Sequence, residues 1–293
     1  MRTRALQDLR GLMFSIAYRM TGSVTDAEDI TQEAFVRLER TRRGGVDVES
    51  PRAWLSAVTT RIAIDHLRSA RRARERYIGP WPPEPLVEDS APGPSEQAET
   101  ADSLSQAFLV LLETLSPVER AVFLLHDVFG YEYPEVADAV GKGEDNCRQI
   151  ASRARRHVEE RRPRFAPDPE RREELLERFL AASETGDTDG LRDLLAADAV
   201  LWSDGGGKAV AARRPIYGAD RVARCMVGIT RKRFSRPRPV RQRRIRVNGQ
   251  PGNALIEPDG SIFSVLTVDV DDDKIHAVRI MRNPDKLRHV QFD

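Results

Sequence analysis

Two proline-dense stretches decide how this chain can fold. The first is GPWPPEPLVEDSAPGPSEQAE (Gly79–Glu99) and the second is RPRFAPDP (Arg162–Pro169). Proline lacks the backbone N–H and its ring clashes with the preceding helical turn, so no regular helix runs through either. The 293 residues must therefore fold as separate blocks, and that length suits two or three domains. We expect domains at 1–76, 101–163 and 170–293, with a proline-rich linker at 77–100. That linker is unusual in its apolar content: Trp81, Pro82, Pro83, Pro85 and Leu86 are residues that dock on a surface, where a plain tether would be polar.

The first block reads as three helices. Leu9, Leu12, Met13, Ile16, Ala17 and Met20 recur at helical spacing. Ser23 or Thr25 caps the next helix, and Asp26, Glu28 and Asp29 in its first turn suit the helix dipole. Ala27, Ile30, Ala34, Phe35 and Leu38 form its buried stripe. After a loop from Arg42 to Ser50, Pro51 opens a third helix at a tolerated position. Trp54, Leu55, Val58, Ile62 and Leu67 line its inner face, and Arg68, Arg71, Arg72, Arg74 and Arg76 make its far end basic.

In the second block Leu104, Ala107, Phe108, Leu111, Leu112 and Leu115 make one apolar stripe. Ser116-Pro117 opens a helix through Leu125, Pro134 opens another, Gly141 ends it, and a last helix runs from Glu144 to Glu159. A short helix, a glycine turn and an arginine-rich second helix form the layout of a helix-turn-helix. Arg148, Gln149, Ser152, Arg153 and Arg156 share a broad face of that last helix. Arginine can bond guanine with two N–H groups, and glutamine can bond adenine likewise. Arg155 and Arg156 are placed to neutralise phosphates.

After Pro169 the pattern changes. Leu175, Leu176, Phe179 and Leu180 mark an amphipathic helix, and Leu191, Leu194 and Leu195 a short one. Strand-like runs follow at Ala199–Ser203, Ala209–Ala212, Ile245–Asn248, Ala254–Glu257, Ser261–Val270 and Lys274–Arg282. Pro258-Asp259-Gly260 and Asp271-Asp272-Asp273 supply turns. Helices followed by antiparallel strands predict an α+β domain. Arg231–Arg246 carries nine basic residues and no acid, and is expected to be a solvated loop and strand edge.

Composition excludes several classes. The two cysteines, Cys147 and Cys225, form no disulfide framework or metal spacing, and the histidines are scattered. No apolar run reaches the roughly 18 residues of a membrane helix. A cytoplasmic protein without membrane contact, cofactor or metal is expected. Net charge is +1, so basicity matters locally rather than globally.

The stretch FSIAYRMTGSVTDAEDITQEAFVRL followed by SPRAWLSAVTTRIAIDHLRSARR resembles sigma-two of the extracytoplasmic-function (ECF) sigma factors of bacterial RNA polymerase. The Ala101–Arg162 block is similar to sigma-four. The remainder resembles a SnoaL-like, NTF2-like cone domain, which a subgroup of these factors carries. The hallmarks of that subgroup stand here as WPPEPL (Trp81–Leu86), DGGGK (Asp204–Lys208) and NPDKL (Asn283–Leu287), with Pro82 where the usual form has leucine.

The resemblance implies roles. Asp29, Gln32, Glu33 and Arg37 would dock on core RNA polymerase. The loop Thr41–Ser50 would capture a flipped base of the minus-ten element, with Arg61 and Arg68 on the helix that follows. Arg61 stands where many members have asparagine. Arg148, Gln149, Ser152 and Arg153 would contact the minus-thirty-five element of promoter DNA, and His126 stands where several relatives carry a phosphate-binding arginine. Trp81, Pro83 and Glu84 of the linker, Asp204, Gly205, Gly206, Gly207 and Lys208 of the glycine loop, and Asn283, Pro284 and Asp285 would form a regulatory contact in cis, in a subgroup that generally lacks a separate anti-sigma protein. The chain would act without enzymatic chemistry. Two alternatives stand beside this: a ligand-sensing or enzymatic C-terminal domain, with His276, Asp204 and Asp220 as its polar candidates, and a DNA-binding regulator that works without polymerase.

Overall fold

The computed structural model describes residues 2–74, 77, 79–88, 105–160, 169–234, 239–271 and 273–292, the side chains of 2–7, 70–74 and 234 aside. The linker residues 78 and 89–100, Leu104, most of the Arg162–Pro169 break, Asp272, residues 235–238 and the side chains of Arg71, Arg72, Arg74 and Arg76 lie outside them. The chain divides into two compact units, Met1–Arg76 with Phe108–Arg162, and Tyr77–Ala107 with Pro163–Asp293.

The first unit is helical. Helices α1 (Arg2–Thr21), α2 (Val24–Arg43) and α3 (Pro51–Arg74) pack on one another. Met13, Ile16, Met20, Ile30, Leu38 and Leu55 are all buried between them. Gly22 turns the chain at φ +69°, and Ser23 caps α2 by accepting a hydrogen bond from Asp26 N at 3.1 Å. Such a cap contributes about 1 kcal/mol. Trp54, expected on the inner face of α3, is only half-buried.

Helices α4 (Gln106–Leu112), α5 (Pro117–Phe123), α6 (Tyr133–Val140) and α7 (Glu144–Glu159) follow. Ser116 and Glu119 close a capping box at the start of α5, and the bond from the Ser116 hydroxyl holds the Glu119 carboxyl below its ordinary range. The predicted helix through Leu125 ends instead in a π turn, Leu124–Val128. Gly141 terminates α6 at φ +66°, a conformation costly for any residue with a Cβ.

The second unit carries α8 (Pro169–Thr185), α9 (Thr188–Leu194) and α10 (Ala219–Phe234), with a seven-stranded sheet. Its strands are β1 (Val87–Glu88), β2 (Leu195–Asp204), β3 (Ile216–Tyr217), β4 (Arg241–Val247), β5 (Gln250–Ile256), β6 (Ile262–Asp271) and β7 (Lys274–Met281). Their order is β1-β4-β5-β6-β7-β2-β3. Along β6 the even residues Leu266, Val268 and Val270 pack with Phe179, Leu191 and Met226 of the helices. Val265 instead joins Ile245, Val247, Met281 and Leu287 in a second cluster. The period of two thus sorts one strand between two cores. Helices against one face of a mixed sheet make this an α+β domain, as the order of helices and strands in the sequence predicts.

Four expectations need correction. The strands are not all antiparallel, since β2 runs parallel to β7. Ala209–Ala212 is no strand: Lys208 N and Ala209 N both bond Gly205 O, which curls the segment, and Val210 is 85% exposed. The start of the basic run is no loop, because Arg231–Phe234 is the last turn of α10, where cations suit the helix dipole. Leu195 belongs to β2 rather than to the short helix before it.

Candidate nucleic-acid interface and linker clasp

Helix α7 sorts its residues cleanly. Cys147, Ile150, Ala151, Ala154 and Val158 are buried, and burial pushes the Cys147 thiol up, away from reactivity. Arg148, Gln149, Ser152, Arg153 and Arg156 are exposed on the opposite side. Arg148, Gln149, Ser152 and Arg153 line one shallow depression. The sequence placed these together and the structure brings them together. Arg155 is set apart: its Nε and Nη2 donate to Asp127 Oδ1 at 2.8 and 2.6 Å, and this carboxylate raises its pKa further. Arg148 Nη2 reaches Glu144 Oε2 at 3.2 Å.

On α2, Asp29 and Gln32 are exposed and Glu33 is half-exposed, with Arg37 Nε donating to Glu33 Oε1 at 2.8 Å. These four lie on the face away from Ala27, Ile30, Ala34 and Leu38. Arg68 on α3 is exposed beside Asp65 at 3.3 Å.

Arg61 is engaged within the first unit. Its Nη2 donates to Asp138 O at 2.6 Å and its Nε to Ala139 O at 3.2 Å, capping the carbonyl end of α6. Nearby, Ser56 Oγ and Tyr131 Oη lie 2.5 Å apart, and Arg120 Nη1 donates to Met20 O at 2.5 Å. Val46–Ser50, Ala53 and Trp54 share a groove with Pro134, Glu135 and Asp138 of α6. The first helical domain and the helix-turn-helix domain are therefore latched together, in part through Arg61, which the sequence assigned to DNA.

The second unit holds the linker in a clasp. Asp204, 1% exposed, ends β2. Its Oδ1 accepts from Tyr77 Oη at 2.6 Å and from Gly206 N at 2.8 Å. Tyr77 Oη accepts in turn from Asn283 Nδ2 at 2.7 Å. Lys286, 3% exposed, sits 2.9 Å from Asp204 Oδ2 and donates to Pro82 O at 2.6 Å. Its Nζ lies 3.9 Å from the Trp81 ring centroid, a cation–π contact strengthened by desolvation. Burial and the Asp204 carboxylate both push the Tyr77 phenol above its ordinary range.

The glycines have specific reasons. A Cβ on Gly205 would meet Ala209 O at 2.1 Å, and one on Gly206, at φ +58°, would meet the Asn283 side chain at 2.4 Å. Gly207 also has positive φ, +73°. Lys208 pairs with Asp285, lowering that carboxyl, and Asn283 caps the turn containing Pro284 by accepting from Asp285 N at 3.0 Å. Pro83 and Glu84 are buried, Leu86 O accepts from Asn248 N at 2.7 Å, and Val87–Glu88 adds β1 to the edge of β4. Tyr77 and Lys286 are the residues sequence reasoning missed. Lys286 stood inside the NPDKL motif, but a buried lysine has no local signal of its own.

Pro82, Gln106, Trp202, Thr267 and Arg279 line a cavity of about 10 Å³, enough for roughly one water. Arg279 pairs there with Asp269. The polar candidates for a catalytic site are apart: Asp204 lies opposite Met281 at one end of the β2–β7 pair, His276 near the other. Asp220 pairs with Arg224 on α10. No helix of the described residues is long and apolar enough to cross a membrane.

Comparison with known proteins fits this geometry. Family models for Sigma-70 region 2 and Sigma-70, region 4 match residues 6–73 and 105–158. The chain is 36% identical to the ECF RNA polymerase sigma factor SigJ of Mycobacterium tuberculosis, over 98% of this chain and 93% of that one. It is 33% identical to a probable ECF RNA polymerase sigma factor, SigI, of the same species, over 95% and 92%. A crystal structure of SigJ matches with TM-score 0.77, 33% identity and 98% of both chains covered. With its two sigma regions in order and its relatives matched nearly end to end, the chain belongs to the ECF RNA polymerase sigma factors and confers promoter specificity on RNA polymerase.

Proposed function

We propose the following division of labour. Asp29, Gln32, Glu33 and Arg37 on α2 dock on core RNA polymerase. The loop Thr41–Ser50 and the Arg61 and Arg68 side chains serve the minus-ten element, and α7 reads the minus-thirty-five element of promoter DNA. The chain does no chemistry of its own; the polymerase does. The observation that carries this reading is the α7 face, where Arg148, Gln149, Ser152, Arg153 and Arg156 are all exposed on one side of a helix whose other side is core. Run-off transcription by core polymerase tests it: removing that face abolishes use of a minus-thirty-five element, and unchanged output refutes it.

The clasp supports regulation in cis, without a separate anti-sigma protein. Between Arg74 and Gln106 the chain joins the two DNA-binding regions, and Tyr77 with Gly79–Glu88 of that tether are fixed on the C-terminal unit. Docking takes up roughly 40 Å of extended chain. A shortened tether favours the latched arrangement, in which Arg61 is bound to α6. Release of the clasp lengthens the tether and frees the two regions to part. Trp81→Ala therefore raises transcription by the full-length chain; equal output from wild type and variant defeats the restraint.

A further inference from the structure

The π turn at Leu124–Val128 aims His126 at α6. Its ring stacks on Tyr133 with centroids 4.1 Å apart and planes inclined by 29°. On the same Tyr133 ring lies the Arg148 guanidinium, with Cζ 4.5 Å from the centroid. The layers are fixed from outside as well. His126 Nδ1 is 2.9 Å from Tyr131 O, which accepts, so Nδ1 carries the hydrogen. Tyr133 also bonds Arg155, itself locked on Asp127. Glu144 holds one edge of Arg148 at 3.2 Å.

A guanidinium uses its flat face for an aromatic ring and its in-plane N–H groups for hydrogen bonds. The contact with Tyr133 uses no N–H, so it restrains the guanidinium while leaving its donors, apart from the Nη2 bond to Glu144, for DNA. A free arginine at an exposed helix position samples many rotamers, and this one loses most of that freedom before any DNA arrives. The base whose acceptors match a planar fork is guanine, through O6 and N7 in the major groove.

We propose that Tyr133 is a positioning residue for base readout: held by His126, it restrains the Arg148 guanidinium so that its donors select a guanine in the minus-thirty-five element. This rests on the reading of α7 as the minus-thirty-five reader.

The test uses the full-length chain with core RNA polymerase and promoter DNA randomised across the minus-thirty-five element, with bound sequences counted column by column. The wild type shows a guanine preference of roughly five- to hundredfold in one column, and Arg148→Ala erases it. Tyr133→Leu lowers that column by about two- to fivefold, the scale of an exposed cation–π contact, and leaves the other columns unchanged. Tyr133→Phe keeps the ring and restores the preference. His126→Leu weakens the same column less, and carries the test alone should Tyr133→Leu not fold. An unchanged guanine column in the Tyr133→Leu or His126→Leu protein, or uniform flattening of all columns, overturns the proposal. Arg148→Ala leaving every column intact instead defeats the reading of α7 on which it stands.

Discussion

The α7 face and the linker clasp are both built on cations, and they treat them oppositely. On α7 the arginines Arg148, Arg153 and Arg156 are exposed, and even the pair of Arg148 with Glu144 and its contact with Tyr133 contribute little to stability in solvent. In the clasp, Lys286 and Asp204 are almost fully buried, where an uncompensated charge costs several kcal/mol. Lys286 is tolerated only because Asp204, Pro82 O and the Trp81 ring surround it. The exposed cations keep donors open to water and to a partner outside the chain; the buried one is enclosed on every side by groups of its own unit. The first kind should affect binding without affecting folding, and the second should do the reverse.

The largest test of that contrast is Lys286→Ala. It strands a buried carboxylate, and we expect the C-terminal unit to lose about 3–5 kcal/mol, read as a lowered Tm in thermal unfolding. Gly206→Ala comes next. A Cβ there runs into Asn283 at positive φ, and about 1–3 kcal/mol is lost, with increased protease sensitivity of the linker as the readout. Arg148→Ala and Arg153→Ala should each weaken minus-thirty-five use by about 1–3 kcal/mol if either contacts a base bidentately, while Tm stays within error. A fall in Tm for these variants, or none for Lys286→Ala, would break the contrast.

The smallest expected effect is a pH dependence. The folded Tyr77 phenol titrates above its ordinary pKa of about 10, so the neutral form is favoured by the clasp. Its stabilisation is complete below pH 10 and is lost as pH rises through the folded value. Ultraviolet titration of tyrosinate should show one late-ionising tyrosine in wild type that is absent from Tyr77→Phe. An unchanged titration curve would separate Tyr77 from the clasp.

The helical blocks were legible because their signals are local. Ser23, Ser116 and Gly141 mark helix ends by their own chemistry, and Ile150, Ala154 and Val158 repeat at a helical period. Helix α10 was not legible: no capping signal announced it, and the basic residues of its last turn read as a solvated loop. Strands β1 and β3, of two residues each, have no period to detect. The parallel β2–β7 pair depends on long-range closure, which no sequence window contains. At the sites, the α7 face followed from periodicity alone. The clasp motifs were visible as a resemblance, but the partners that complete them, Tyr77 and Lys286, lie 209 positions apart and meet only in the fold. The latch on Arg61 was likewise hidden, since its acceptors are backbone carbonyls.

The most direct test is run-off transcription by core RNA polymerase, comparing the full-length chain with its Arg148→Ala, Arg153→Ala double variant. Templates with and without a minus-thirty-five element complete the comparison. The account predicts that wild type prefers the complete promoter and that the variant transcribes both templates alike. Retention of the wild-type preference by the variant would contradict it.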